Sequence, residues 1–227
     1  MLEITQYQNQ GLLWYGNRND QLAGRLATGF DSLDKALSGG WPPQGVVDIK
    51  TPMGIGEIRL MLPYLQNKQA QGLLVLIAPP TLISAEFLLA NGIDLSRVLL
   101  LNLYQEEEAL WAAEQCLKSG CCALVLLWQK ALSVKQARRL LLSTEQGKSS
   151  LLLYRLAQKA MSFSIPSHLS MSLQPHELGI QVRIDKQRGG QPSAEMTLDM
   201  QSRWPDLTLP SVTKGSNVLP FSRAVSH

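Results

Sequence analysis

The chain has 227 residues, 45% of them apolar, which is enough for one substantial core with flanking segments to spare, so a single domain is expected. Its 21 basic and 18 acidic residues leave a net charge of only +3, which excludes the strongly basic nucleic-acid binders and confines any DNA contact to a local patch. Cys116, Cys121 and Cys122 lie too close together and too far from any histidine for a zinc set, and their odd number argues against a disulfide framework, so a reducing cytoplasm fits. Met1 to Gln6 carry neither a basic start nor a long apolar run. The longest apolar stretch, Cys121 to Trp128, is far shorter than the roughly 20 residues of a membrane helix, so a soluble cytoplasmic protein without a membrane partner is expected.

Along the chain, residues 1–27 read as an arm ahead of the domain, with Trp14 beside Leu13 either as a partner-binding anchor or packed on the chain's own sheet edge. Short apolar runs at 44–49, 73–78, 97–101, 122–128 and 150–154 read as buried strands. Helical patterns at 57–69, 84–91, 105–119 and 133–146 separate them. This alternation predicts an α/β fold with a mostly parallel sheet and helices on both faces. Pro63 is a misfit inside the first of these helices and predicts a kink or a late start.

In the segment 105–119, Ala109, Ala112, Ala113, Cys116 and Leu117 form one apolar stripe, and Trp111 points roughly 200° away from Ala109. It is read either as a ring covered by a loop or as a partner-facing anchor. Lys135, Gln136, Arg138 and Arg139 read as a solvated helix face.

After residue 154 the pattern changes to alternation, in Leu169 to Leu173, Gly179 to Ile184 and Ala194 to Leu198, which predicts an antiparallel C-terminal extension of the sheet. The domain is placed at 28–200. The stretch 201–227, rich in Pro, Ser and Thr, predicts a tail without fixed structure, in which Val218 to Phe221 forms an apolar island able to order on a partner, with Phe221 as its anchor. His168, His176 and His227 are scattered without a Ser or Cys partner, so they are read as surface residues and no catalytic group is assigned.

Several segments occur in an order that defines a resemblance. Thr28 to Leu37, then Gly39, Gly40, Pro43, Gly45 and the strand that follows resemble the lead-in to the phosphate loop of RecA and its archaeal-type relatives. The likeness continues through Ala90 to Leu100, Glu108 to Gly120, the strand 123–128 and Ile184 to Gly190. Ordered matches of this extent are more specific than any single motif. The resemblance implies a RecA-like domain.

A working phosphate loop needs a glycine turn, a lysine for the β- and γ-phosphates and a hydroxyl for magnesium. The matching segment runs from Thr51 to Ile58; Gly54 and Gly56 are present, but Glu57 stands where the lysine belongs and Ile58 where the hydroxyl belongs. A carboxylate about 4 Å from a phosphate charge costs on the order of 4 kcal/mol at an effective dielectric of about 20, where a lysine would gain a similar amount. The magnesium-holding acid is replaced by Trp128 and the water-activating glutamate by Pro80. The expectation is a degenerate RecA-like domain that is not an enzyme and takes neither a nucleotide cofactor nor a metal.

The degenerate loop, together with Gln71 to Pro80, Ala109 to Gln115 and Lys186 to Gly190, looks like ImuA, the RecA-like accessory family of SOS-induced translesion DNA synthesis, which is related to the SulA division inhibitors. That resemblance implies a non-catalytic adaptor with ImuB and RecA as partners and self-association as a further possibility. A SulA-like inhibitor of FtsZ is the alternative, and a DNA-dependent ATPase is a third, weaker reading. Lys186 and Arg188 match the basic pair that reaches the neighbouring subunit's nucleotide in RecA-type filaments, which would suit docking on RecA; their alternative is a solvated hairpin tip. The segments 129–133 and 155–168 are short for DNA-gripping loops, so direct DNA binding is not expected.

Overall fold

The computed structural model describes residues 24–156 and 165–205. In chain order the elements are α1 (Asp31–Ala36), β1 (Gly45–Thr51), α2 (Glu57–Gln69), β2 (Leu73–Ile77), α3 (Ala85–Ala90), a 3-10 turn (Leu95–Arg97) and β3 (Val98–Leu101). They continue with α4 (Glu106–Lys118), β4 (Cys122–Trp128), α5 (Val134–Gly147), β5 (Ser150–Leu156), β6 (Leu169–His176), β7 (Gly179–Gln187) and β8 (Met196–Asp199).

The strands form one sheet in the order β3-β2-β4-β5-β1-β6-β7-β8. Pairing is parallel from β3 through β6 and antiparallel between β6 and β7 and between β7 and β8. This is the mostly parallel sheet with an antiparallel extension that the alternation of patterns predicts. Leaving β1, the chain moves outward through β2 to β3, then returns inward through β4 and β5. Right-handed crossovers then place the outgoing helices on one face and the returning helices on the other. Accordingly Leu60, Met61, Leu65 and Leu88, from α2 and α3, pack with Val47, Ile49, Leu76 and Leu126. Ala109, Ala113, Leu117 and Leu140, from α4 and α5, pack with Val75, Val125, Leu127 and Leu153.

The lead-in is tied down by short-range bonds. The Thr28 amide donates to Asp34 Oδ1 at 2.8 Å, and the Phe30 amide donates to Thr28 Oγ1 at 3.1 Å. Leu26 and Trp41 exchange backbone bonds, and a Cβ on Gly40 would lie 2.2 Å from the Leu26 carbonyl oxygen, so that crossing admits only glycine. At the other end, Trp204 packs against the same core and Arg203 lies 5.4 Å from the Phe30 ring centroid.

Two expectations are corrected and one, for Pro63, loses one of its two alternatives. α2 begins at Glu57, ahead of Pro63, so there is no late start: Pro63 sits mid-helix and its Cγ packs 3.1 Å from where a Gly29 Cβ would stand. His168 is not a surface residue. Its backbone N–H donates to Val46 O at 2.9 Å, its ring Nδ1 accepts the Val46 N–H at 3.2 Å, and only a glycine at position 45 leaves room for the ring. Arg139 is not simply solvated. It forms an ion pair with buried Glu114 on α4, which Lys118 joins at 3.0 Å. Burial alone would raise the Glu114 pKa, but the hydrogen bonds from Arg139 and Lys118 outweigh it and hold the carboxyl below its usual range. Lys135 and Arg138 remain exposed.

The sheet centre carries a buried ion pair. Arg155 on β5 donates to both carboxylate oxygens of Asp48 on β1, at 2.7 and 2.8 Å, and Ser170 on β6 adds a third donor at 2.9 Å. Asp48 is fully buried. Replacing one partner of such a pair leaves the other charge in a low-dielectric core. Arg155→Met is therefore expected to lower unfolding free energy by about 3–5 kcal/mol, seen as a fall in the urea midpoint without a change in slope.

Lys68 on α2 is also buried. It donates to the Pro43 carbonyl oxygen and to Gln71 Oε1 at 3.3 Å, and burial lowers its pKa from 10.5 to about 8. Between about pH 8 and 10.5 the unfolded chain holds a proton that the folded chain has released, so raising pH through that window favours the fold. Below about pH 8 both states hold the proton and this contribution is flat. Lys68→Met is expected to remove the gain in that window, as measured by chemical denaturation at pH 7.5, just below the window, and at pH 9.5, within it.

Candidate functional site

In open parallel sheets, ligand sites form beyond the carboxyl ends of the strands, near the point where the direction of crossover reverses. Here a cleft of about 320 Å³ lies at those ends, bounded by Thr51 at the end of β1, Ala78 to Pro80 after β2, Leu103 to Glu106 after β3, Trp128 to Lys130 at and beyond the end of β4 and Tyr154 to Leu156 on β5. Thr51, Glu57, Pro80 and Trp128, drawn from distant parts of the sequence, are thus brought together.

The loop between β1 and α2 keeps the geometry of an anion nest. Gly54 and Gly56 have φ of +77° and +93°, the left-handed values that let successive backbone N–H groups converge. The nest is filled from within. Glu57, 6% exposed, accepts the Gly54 N–H on Oε1 at 3.3 Å and the Ile55 N–H on Oε2 at 3.1 Å. Its carboxylate thus takes the donors that would otherwise meet a phosphate, at the N-terminus of α2 where the helix dipole also favours a negative charge. Thr51 Oγ1 donates to the Pro52 carbonyl at 2.7 Å, and Ile58 packs against the α2-side core instead of facing a cation.

Trp128 stacks on Tyr154 with ring centroids 4.9 Å apart and an interplanar angle of 12°. The pair walls one side of the cleft and fills space at the end of β4 with carbon. Burial, followed by the nearby Glu57 charge, pushes the Tyr154 hydroxyl pKa well above its ordinary value, so the group stays neutral.

The remaining sequence-derived candidates lie elsewhere. Trp111 is 64% exposed on the outer side of α4. Lys186 and Arg188 are exposed where β7 runs beside the start of β6, at the end of the sheet opposite the cleft. Between them Gln187 is buried and donates to the Leu37 carbonyl at 2.8 Å, which anchors the strand that presents the two cations. Arg188 Nη1 lies 3.3 Å from His168 Nε2. Because Nδ1 of that ring accepts from Val46, a neutral His168 carries its proton on Nε2 and offers Arg188 no acceptor. Burial, then the Arg188 charge, lowers the His168 pKa and keeps it neutral. Trp14 and Phe221 lie outside the described residues. Among those residues no helix is long and apolar enough to cross a membrane.

Sequence reasoning missed that Glu57 binds its own loop. The signal was present, since a carboxylate in the first turn of a helix is placed to reach the free N–H groups before it. It also missed Tyr154 and Gln129 as cleft residues, because nothing in a strand-end tyrosine or glutamine distinguishes it before the strand order is known.

The fold and this self-filled loop define a RecA-like α/β protein. Comparison with known proteins agrees: RecA of Streptomyces venezuelae is 28% identical over 170 residues, covering 74% of this chain and 44% of that protein. RecA of Streptomyces coelicolor is 27% identical over the same extent. The chain thus spans less than half the length of the curated relatives it matches. No protein-family model matches. Among solved structures, SulA from Pseudomonas aeruginosa is 26% identical with a TM-score of 0.42, covering 48% of this chain and 97% of that one.

The filled nest predicts that the wild-type chain gives no binding heat with magnesium pyrophosphate in titration calorimetry. The double substitution Glu57→Lys with Ile58→Thr, which removes the internal anion and restores a cation and a hydroxyl, is expected to produce measurable binding.

Proposed function

We propose that this chain is a non-catalytic, RecA-like adaptor of SOS-induced translesion DNA synthesis, acting through protein contacts with ImuB and RecA. The observation that carries the non-catalytic half is the Glu57 carboxylate seated on Gly54 and Ile55 N–H. A carboxylate seated on two of the loop's N–H groups takes the place of a phosphate there and repels one electrostatically. With Trp128 and Pro80 on the walls of the same cleft, no acid stands at the end of β4 or just after β2 to hold magnesium or activate water.

The adaptor half rests on the resemblance of the loop, of Ala109 to Gln115 and of Lys186 to Gly190 to ImuA, and on two surface features. One is Trp111, a large aromatic residue held exposed on a helix whose other face is fixed by the core. The other is the Lys186 and Arg188 pair, carried on an anchored strand end, with neither charge met by a hydrogen-bonded carboxylate among the described residues. Placed at the opposite end of the sheet from the chain's own cleft, the pair faces outward and is suited to a phosphate-bearing cleft on another RecA-fold subunit.

A tagged full-length chain tested against purified ImuB, RecA and FtsZ decides the assignment. Capture of ImuB and RecA but not FtsZ is expected, and capture of FtsZ alone would replace this reading with division inhibition. Lys186→Ala with Arg188→Ala should weaken RecA capture by about tenfold or more, equivalent to about 1.4 kcal/mol. Trp111→Ala should weaken ImuB capture while leaving the thermal midpoint unchanged, because the side chain contributes little to the core.

A further inference from the structure

The cleft retains buried polar atoms that the chain leaves unsatisfied. The Tyr154 hydroxyl, on a residue 2% exposed, has no hydrogen-bond partner among the described residues. Gln129, 6% exposed, directs its side-chain nitrogen at the Glu106 carbonyl and carboxylate oxygens, at 3.5 and 3.3 Å. Because both neighbours are acceptors, they fix which end of the amide is nitrogen. The other end, Oε1, is therefore a true acceptor, and among the described residues it receives no donor. An unmet buried polar atom costs about 1–3 kcal/mol, so two in one cleft mark groups that a ligand completes.

Chemistry on the walls narrows the ligand. Glu57 disfavours any anion. Of the charged groups lining the cleft, Arg155 is engaged by Asp48, which leaves Glu57 and Glu106 facing Lys130 alone. The stacked Trp128 and Tyr154 rings supply a flat aromatic wall, and the volume falls within the range of small-ligand clefts, about 300–1,000 Å³. The complementary group is planar, carries several N–H donors and is positively charged. A guanidinium meets all three conditions, whereas a lysine ammonium is neither planar nor easily desolvated.

We propose that this cleft is a receptor for an arginine side chain of a partner polypeptide. The guanidinium stacks against the Trp128 and Tyr154 pair and donates to Gln129 Oε1, the Tyr154 hydroxyl oxygen and the Glu106 carboxylate. The inference rests on the reading above that the loop is closed to nucleotide.

The probe is benzamidine, a flat apolar cation with amidinium donors, compared with benzoate of the same shape and opposite charge. It is titrated into the full chain while the Trp128 indole N–H resonance is followed, assigned with Trp128→Phe. Saturable shifts with benzamidine and none with benzoate are expected. N-acetyl-arginine amide should shift the same resonance more strongly than the lysine analogue. Glu106→Gln, at an exposed rim position, should weaken benzamidine by about tenfold without altering the fold, and Gln129→Leu should do the same where it folds. Equal response to benzoate, or wild-type affinity in Glu106→Gln, overturns the inference. Silence toward every probe overturns it alone, whereas a shift produced by magnesium ATP overturns both it and the nucleotide-free reading.

Discussion

Two backbone N–H groups held in a left-handed glycine turn must meet an acceptor, and this chain supplies it from the next helical turn. That single constraint orders the site. Once the Glu57 carboxylate occupies the nest, the Gly54 and Ile55 N–H groups are met without ligand, and a negative charge is fixed at the mouth of the cleft. A lysine there would leave the same N–H groups waiting for phosphate. One side chain thus changes a ligand-dependent loop into a self-contained turn, with the surrounding backbone kept in place.

The scaffold that positions this turn depends on a second buried electrostatic contact. Asp48, Arg155 and Ser170 come from β1, β5 and β6, and so bridge the strands where the parallel sheet hands over to its antiparallel extension. Hydrophobic packing alone would let the apolar stretches of β1 (Val46, Val47, Ile49) and β5 (Leu151 to Leu153) slide, since their side chains are similar in size and shape. A bidentate carboxylate–guanidinium pair has one geometry, so it specifies register in a region where leucine and valine do not. The cleft lies directly beyond this clamp, which ties its shape to the register of the sheet.

Much of this was legible in the residues. The strands and the helical segments between them showed through periodicity, and β6 to β8 through alternation. The lost lysine and hydroxyl showed as Glu57 and Ile58 in a segment whose glycines were intact. What could not be read was distance. His168 is polar and sits between short segments, so it looked exposed until β6 was laid beside β1 and its ring filled the space over Gly45. Arg139 looked like one more cation on a wet face because its partner, Glu114, is on a different helix, and only the packing of α4 on α5 brings them together. Pro63 reads as a helix breaker by local rules, yet the contact its ring makes near Gly29 is a tertiary one. In each case a neighbour remote in sequence determined the outcome.

The outer border of the sheet carries a last implication. Among the described residues β3 has β2 on one side and no strand on the other, and Leu99 and Leu100 are 42% and 38% exposed on its two faces. This oily strand has no lysine, proline or bulge within it, so its shortness is the one sequence safeguard it keeps against sticking to other chains. At high concentration that border is expected to be where copies adhere, and a charged residue in place of Leu99 or Leu100 would make the protein easier to keep dispersed without touching the cleft.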